Sequence, residues 1–160
     1  MNPDSTQTII QSMLTTTPPA FSMVEAVSVA ADHYGIHATT HPLVSERDQN
    51  FRLDARDGKR YTLKFSNDAE QLQVIDFQNQ ALVYIENHDA SLPLPRVIPD
   101  LDGQLHCRVR KGDKTHFVRV LSWVDGMVLH DAQVNADLAN RLGRLLARLG
   151  LALDGFEHPG

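Results

Sequence analysis

The stretch "RDGK" at 56–59 constrains the fold more than any other segment. An Asp-Gly pair between two alternating runs is among the strongest short-range hairpin signals, because glycine reaches the positive φ that a tight turn needs. Residues 50–55 and 60–65 are therefore expected to pair as an antiparallel hairpin. Strand side chains alternate, so Tyr61, Leu63 and Phe65 share one face, and Arg60, Thr62 and Lys64 the other. The hairpin thus carries a lysine mid-strand, pointing away from its apolar side.

Signals of the same kind divide the rest. Ser22 and Glu25 make a capping box, and Val24, Val27, Ala31 and Tyr34 recur at helical spacing until Gly35, predicting a helix over 23–34. Residues 37–44 read as extended and are interrupted by Pro42, which suits an edge strand. With Asp68 as N-cap and Gln71 three residues on, a long helix is predicted over about 69–87. Its apolar residues cover much of its girth, which predicts a substantially covered helix. A proline-punctuated connection leads to a second hairpin, 104–110 with 115–121, around "KGDK". After "SWVDG", leucines at 138, 142, 145, 146, 149 and 153 predict a final helix. The tail before Pro19 is Thr-, Ser- and Pro-rich, with an apolar patch at Ile9, Ile10, Met13 and Leu14 that suits a short docking helix.

Composition excludes several classes of partner. A chain of 160 residues, 42% hydrophobic and 22% charged, suits one globular unit with a real core. A formal charge of -5 offers no broad basic field for nucleic acid or an anionic membrane. No apolar run spans a bilayer and no signal peptide precedes the fold, so a cytoplasmic location is expected. The lone Cys107 in "QLHCRVR" reads as a small strand residue. His33, His37 and His41 have ligand-like i, i+4, i+8 spacing, but Gly35 and Pro42 argue against one helix spanning them.

The order helix, strand, hairpin, long helix, hairpin, hinge-like segment and leucine-rich helix resembles the N-terminal lobe of a kinase fold. In detail, "LVSERDQNF", "YTLKF", "FQNQAL", "VRVLSWVDG" and "LGRLLARLGLALDGFEHPG" are similar to the aminoglycoside phosphotransferase and choline kinase-like superfamily, especially its hydroxylysine kinase-like members. The resemblance implies an α+β fold: a curled antiparallel sheet of about five strands with a long packed helix, an N-terminal helix and the first helix of a C-terminal lobe. It divides the chain into an N-terminal segment (1–20), a nucleotide-binding lobe ending in the hinge (21–126) and the start of a second lobe (127–160). Bacterial relatives of this kind also occur fused ahead of a class III aminotransferase.

The implied chemistry is transfer of the terminal phosphate of ATP or GTP, with magnesium, to a hydroxyl of an amino-alcohol or amino-acid-like substrate. Lys64 is the expected phosphate cation. Ser45, Arg47, Gln49 and Asn50 are candidate phosphate contacts in a covering loop that has no glycine. Gln78 or Asp76 on the long helix is expected to orient Lys64. Thr62 is expected beneath the base, the backbone of Ser122 and Val124 at its edge, and Trp123 in packing. "HDAQVN" at 130–135 resembles the family's catalytic loop only faintly and comes too early; it reads as the start of the last helix. No stretch from 126 to 160 matches the catalytic Asp or the magnesium ligands, so the covered chain is expected to be part of a longer protein and inactive alone. The alternative is a non-catalytic binding or regulatory module serving a fused enzyme such as a PLP-dependent aminotransferase. The leucine face of the 138–153 helix needs cover, so it is expected to pack on another chain, by self-association, or to fold back.

Overall fold

The computed structural model describes residues 17–159, so the apolar patch at 9–14 lies outside the described residues. Helix α1 (Met23–Tyr34) begins at the expected capping box: Ser22 Oγ accepts from the Glu25 N–H at 3.2 Å, and Glu25 Oε2 accepts from the Ser22 N–H at 2.7 Å. Gly35, at φ 64°, closes it. Strands β1 (Ala38–Leu43), β2 (Gln49–Ala55) and β3 (Arg60–Phe65) follow. Helix α2 (Leu72–His88) precedes β4 (Val97–Ile98), β5 (Cys107–Lys111) and β6 (Lys114–Ser122). A 3-10 turn (Leu129–Asp131) leads into α3 (Ala136–Ala152), which Asn135 caps by accepting from the Leu138 N–H at 2.9 Å.

All six strands join one antiparallel sheet in the order β1-β2-β3-β6-β4, with β5 also on β6. The long β6 carries both: β4 pairs with Val120 and Leu121, while β5 pairs from Lys114 to Val118. The sheet is therefore five strands wide and six in number. The hairpin between β2 and β3 turns at Gly58, whose φ of 82° favours glycine there. Pro42 lies on β1, at the edge.

The main core fills the space between α1 and one sheet face. Phe51, Leu53, Leu63, Phe65, Val118 and Val120 meet Phe21, Ala26, Val29, Ala30 and Tyr34, all at 8% exposure or less. Phe65 stacks on Phe21 at 4.1 Å between centroids and meets Phe51 edge-on at 5.9 Å. Burying Leu63 and Phe65 on this side sends Lys64, between them, to the other.

Helix α2 departs from expectation at its start and in its burial. It begins at Leu72 with no side-chain cap, because Asp68 pairs with Lys114 at 3.0 Å and the Asn67 carboxamide oxygen takes the Ala69 N–H at 2.9 Å. Only one stripe is buried, Ile75, Asn79 and Ile85, and Leu72, Val74 and Phe77 are 38–44% exposed. Ile85, Leu92 and Ala152 form a second core, flanked by Leu94, Leu145, Leu149 and Leu153, which docks α3 against α2. Leu142, Leu146 and Leu151 remain exposed. Among the described residues no helix is long and apolar enough to cross a membrane. The three histidines fall at the end of α1, in the following turn and in β1, where His41 pairs with Asp54 at 3.0 Å.

Candidate functional site

Strand register builds the site on the sheet face opposite α1. Leu43 pairs with Asn50, Asn50 with Lys64, and Lys64 with Arg119. Side chains opposite one another across a sheet share a face, so Asn50, Lys64 and Arg119 form one polar row. Alongside it, Arg52, Thr62 and Leu121 form the next row toward the hinge.

Lys64 is half-buried, its side chain 22% exposed. Its nearest carboxylate is Asp48, with Nζ to Oδ2 at 3.8 Å. Loss of hydration holds the ammonium below the usual lysine range, and the Arg119 charge beside it pushes in the same direction; Asp48 pulls it back up. Asp48 is itself fixed, because its other carboxylate oxygen accepts from the Asn67 N–H at 3.2 Å. The lysine is a desolvated cation with one distant counter-charge.

The loop residues separate by face. Ser45 Oγ donates to the Asp48 carbonyl at 2.8 Å and closes the loop on itself. Ser45, Glu46, Arg47, Asp48, Asn50 and Glu70 line a concavity of about 320 Å³. The Arg47 side chain is exposed, and its carbonyl accepts from the Asn67 amide at 3.3 Å. Asn50 faces Lys64, and its side-chain oxygen is buried without a hydrogen-bond partner. Gln49 does not join them. It has the parity of Phe51 and Leu53, so it turns to the α1 side, where its carboxamide accepts from the Phe21 N–H at 2.7 Å and donates to the Phe21 carbonyl at 2.8 Å. That correction was readable from strand alternation alone.

The helix residues also have other partners. The Gln78 side-chain oxygen accepts from Arg119, and Asp76 pairs with His158 at 3.1 Å. Lys64 has its ion pair with the loop, through Asp48, and not with α2. At the hinge, Ser122 is tied to Arg96 twice: its N–H donates to the Arg96 carbonyl and its Oγ accepts from the Arg96 N–H, each at 2.8 Å. Its N–H is thus committed inside the fold and is not available to a base. The Trp123 N–H is also used, by the Arg60 carbonyl at 3.0 Å, and Arg52 lies 5.9 Å over the Trp123 ring. Val124 is 43% exposed. Thr62 lies on the Lys64 face, between Arg52 and Leu121.

Arg119 is the residue that sequence reasoning passed over. It is 6% exposed and donates through Nη1 to Asn79 Oδ1 at 3.0 Å and through Nη2 to Gln78. An arginine in "VRVLS" alternates outward, and only the strand pairing reveals that "outward" here means beneath α2 and beside Lys64.

The chain is similar in sequence and fold to known small-molecule kinases. Over 150 residues the chain is 29% identical to hydroxylysine kinase of Danio rerio, covering 88% of this chain and 41% of that protein. It therefore spans about two fifths of the length of the relative it matches. The microcompartment-associated aminopropanol kinase superimposes with a TM-score of 0.66 at 21% identity, over 85% of this chain and 42% of that one. An amicoumacin kinase in complex with AMP-PNP, Ca2+ and Ami superimposes with a TM-score of 0.74 at 14% identity, over 96% of this chain and 44% of that one. These likenesses extend the kinase-like fold to the whole sheet and its helices. With residues 39–160 matching the family's sequence pattern, the chain belongs to the phosphotransferase enzyme family, APH.

Proposed function

We propose that this chain is the nucleotide-binding lobe of a small-molecule kinase that moves the terminal phosphate of ATP or GTP onto a hydroxyl of an amino-alcohol or amino-acid-like substrate. The observation that carries the reading is the row Asn50, Lys64 and Arg119, which sets two cations together with one carboxylate, Asp48, at 3.8 Å from the lysine. Desolvated cations set side by side in this way interact with a polyphosphate more strongly than solvated ones do. Phosphate oxygens accept hydrogen bonds, so it is the amide N–H of Asn50, whose buried side-chain oxygen has no partner to fix it, that can serve them.

Lys64 is assigned to the α- and β-phosphates as a point charge. Asn50, Ser45 and Arg47 supply polar groups from the loop, Thr62 lies under the base, and the backbone of Val124, a half-exposed residue, meets its edge. Magnesium would supply charge neutralisation at the phosphates, and its ligands and the catalytic base are assigned to none of the described residues. In the reaction the acceptor oxygen bonds to the γ-phosphorus as the bridging bond to the β-phosphate breaks, and the hydroxyl proton passes to a base. The substrate class rests on the likeness to hydroxylysine kinase and to the aminopropanol kinase, both named for hydroxyl-bearing amines.

Phosphoryl transfer by the full-length protein tests this reading. ATP and GTP are each offered with hydroxylysine, amino-propanol and simple sugars. Phosphorylation of a hydroxylated amine supports the assignment. No transfer to any amine, with transfer to a sugar, contradicts it.

A further inference from the structure

Arg119 is buried, cationic and unlike the other arginines of the sheet. Its two terminal nitrogens are bound by neutral amides, Gln78 and Asn79, and its Nε is buried without a partner. Among the described residues no carboxylate forms an ion pair with it. Burying a charge is costly unless it is paired, and a buried ionic group is often replaced by apolar residues without loss of stability. If Arg119 only fastened α2 to β6, an apolar side chain would do so at lower cost. Its charge therefore has another use.

We propose that Arg119 is the positioning residue of this site, a cation docked to α2 through two uncharged amides so that its charge stays available beside Lys64 for the phosphates of a bound nucleotide. This rests on the nucleotide reading given above. Neutral partners are the essential part: a carboxylate on α2 would fasten the helix equally well but cancel the charge. The groups that face the pair are few. Asn50 flanks Lys64 on β2, Asp48 reaches it from the loop, and Arg119 flanks it on β6. Burial holds Arg119 below the ordinary arginine range and the charges of Asp48 and Glu70 pull it back up; His106 lies within its field, and Tyr34, a weak acid raised further by burial, stays neutral. Two cations thus share Asp48; burial first, and the Arg119 charge second, hold the lysine below its ordinary range, and Asp48 only partly offsets them.

The test is nucleoside triphosphate affinity, by calorimetry with a non-hydrolysable ATP analogue across neutral to alkaline pH, in the full-length protein. Arg119→Met is expected to weaken binding roughly tenfold near neutral pH. It also moves the alkaline limb, where Lys64 loses its proton, to higher pH, because the neighbouring positive charge is gone. Arg119→Lys keeps the charge and is expected to bring both readouts back toward wild type. Gln78→Glu leaves Arg119 in place but gives it a carboxylate, and is expected to move the limb upward as well; it decides the matter alone if Arg119→Met fails to fold. An alkaline limb unchanged in Arg119→Met and Gln78→Glu, or an Arg119→Lys variant no nearer wild type than Arg119→Met, overturns the proposal and leaves a purely structural arginine. Lys64→Met separates the two readings. If it binds nucleotide like wild type, the nucleotide reading itself falls; if it loses binding while the limb stays fixed in the Arg119 series, only the Arg119 inference falls.

Discussion

Gln49 and Asn50 are neighbours in sequence on opposite faces of one strand, and their substitution by alanine should separate stability from binding. Gln49 makes two hydrogen bonds to the backbone of Phe21, at 2.7 and 2.8 Å, and Phe21 is 5% exposed. Removing the carboxamide leaves a buried N–H and a buried C=O without partners, each worth about 1–3 kcal/mol. Water admitted by the lost side chain recovers part of that, so the expected cost is about 2–3 kcal/mol, or a fall in Tm of roughly 5–10 °C. Phe21 also stacks on Phe65, so the loss propagates into the aromatic core. Asn50→Ala does the reverse: its unpartnered oxygen disappears, Tm holds or rises slightly, and nucleotide affinity falls. Calorimetric unfolding and nucleotide titration at matched folding measure both. If Gln49→Ala kept its Tm but lost affinity, the assignment of the two faces would be refuted.

Three further outcomes follow from the same geometry. Phe65→Ala removes a fully buried ring between Phe21 and Phe51 and should cost about 3–5 kcal/mol, visible as a large drop in the denaturation midpoint; a cost below about 1 kcal/mol would contradict the packing. The Lys111 ammonium, with the Ser22 N–H and hydroxyl, lowers Glu25 from 4.5 to about 2, so its contribution is complete above about 4.5 and is lost as pH falls through 2. Urea midpoints of wild type and Glu25→Gln should therefore differ at pH 6 and converge toward pH 2, and a gap that widens on acidification would reverse the sign. Gly58→Ala forces a side chain into φ 82° with no atom within 4 Å to clash, so it should cost only backbone strain, about 1 kcal/mol, with the hairpin retained by circular dichroism.

Much of the fold was legible because local chemistry agreed with the global arrangement. Ser22, Glu25 and Gly35 mark both ends of α1, and Asp57-Gly58 marks the hairpin that sets Lys64 on its face. Strand β4 was hidden, since Val97 and Ile98 are too short for any period and pair only because β6 outruns β5. Asp68 has the spacing of a cap but finds Lys114 across the turn, and a long-range partner of that kind leaves no local trace. The face on which Lys64 stands was legible from strand alternation. The neighbouring Arg119 was not, because its proximity to Lys64, 55 positions away in sequence, is created by strand register. The exposed stripe of α2, with Leu72, Val74 and Phe77, reflects a helix seated with only one side against the sheet and α3.

The central claim is that Lys64 stands in β3 to meet phosphate, and Lys64→Met tests it most directly. Methionine keeps most of the stem's packing between Asn50 and Arg119 while removing a desolvated charge, so Tm should change little or rise. Titration calorimetry of ATP and GTP analogues with the full-length protein gives the answer. A loss of affinity of tenfold or more, about 1.4 kcal/mol, with Tm preserved is the expected result. Equal affinity in the two forms would contradict the phosphate role and reduce Lys64 to a half-buried strand residue paired with Asp48.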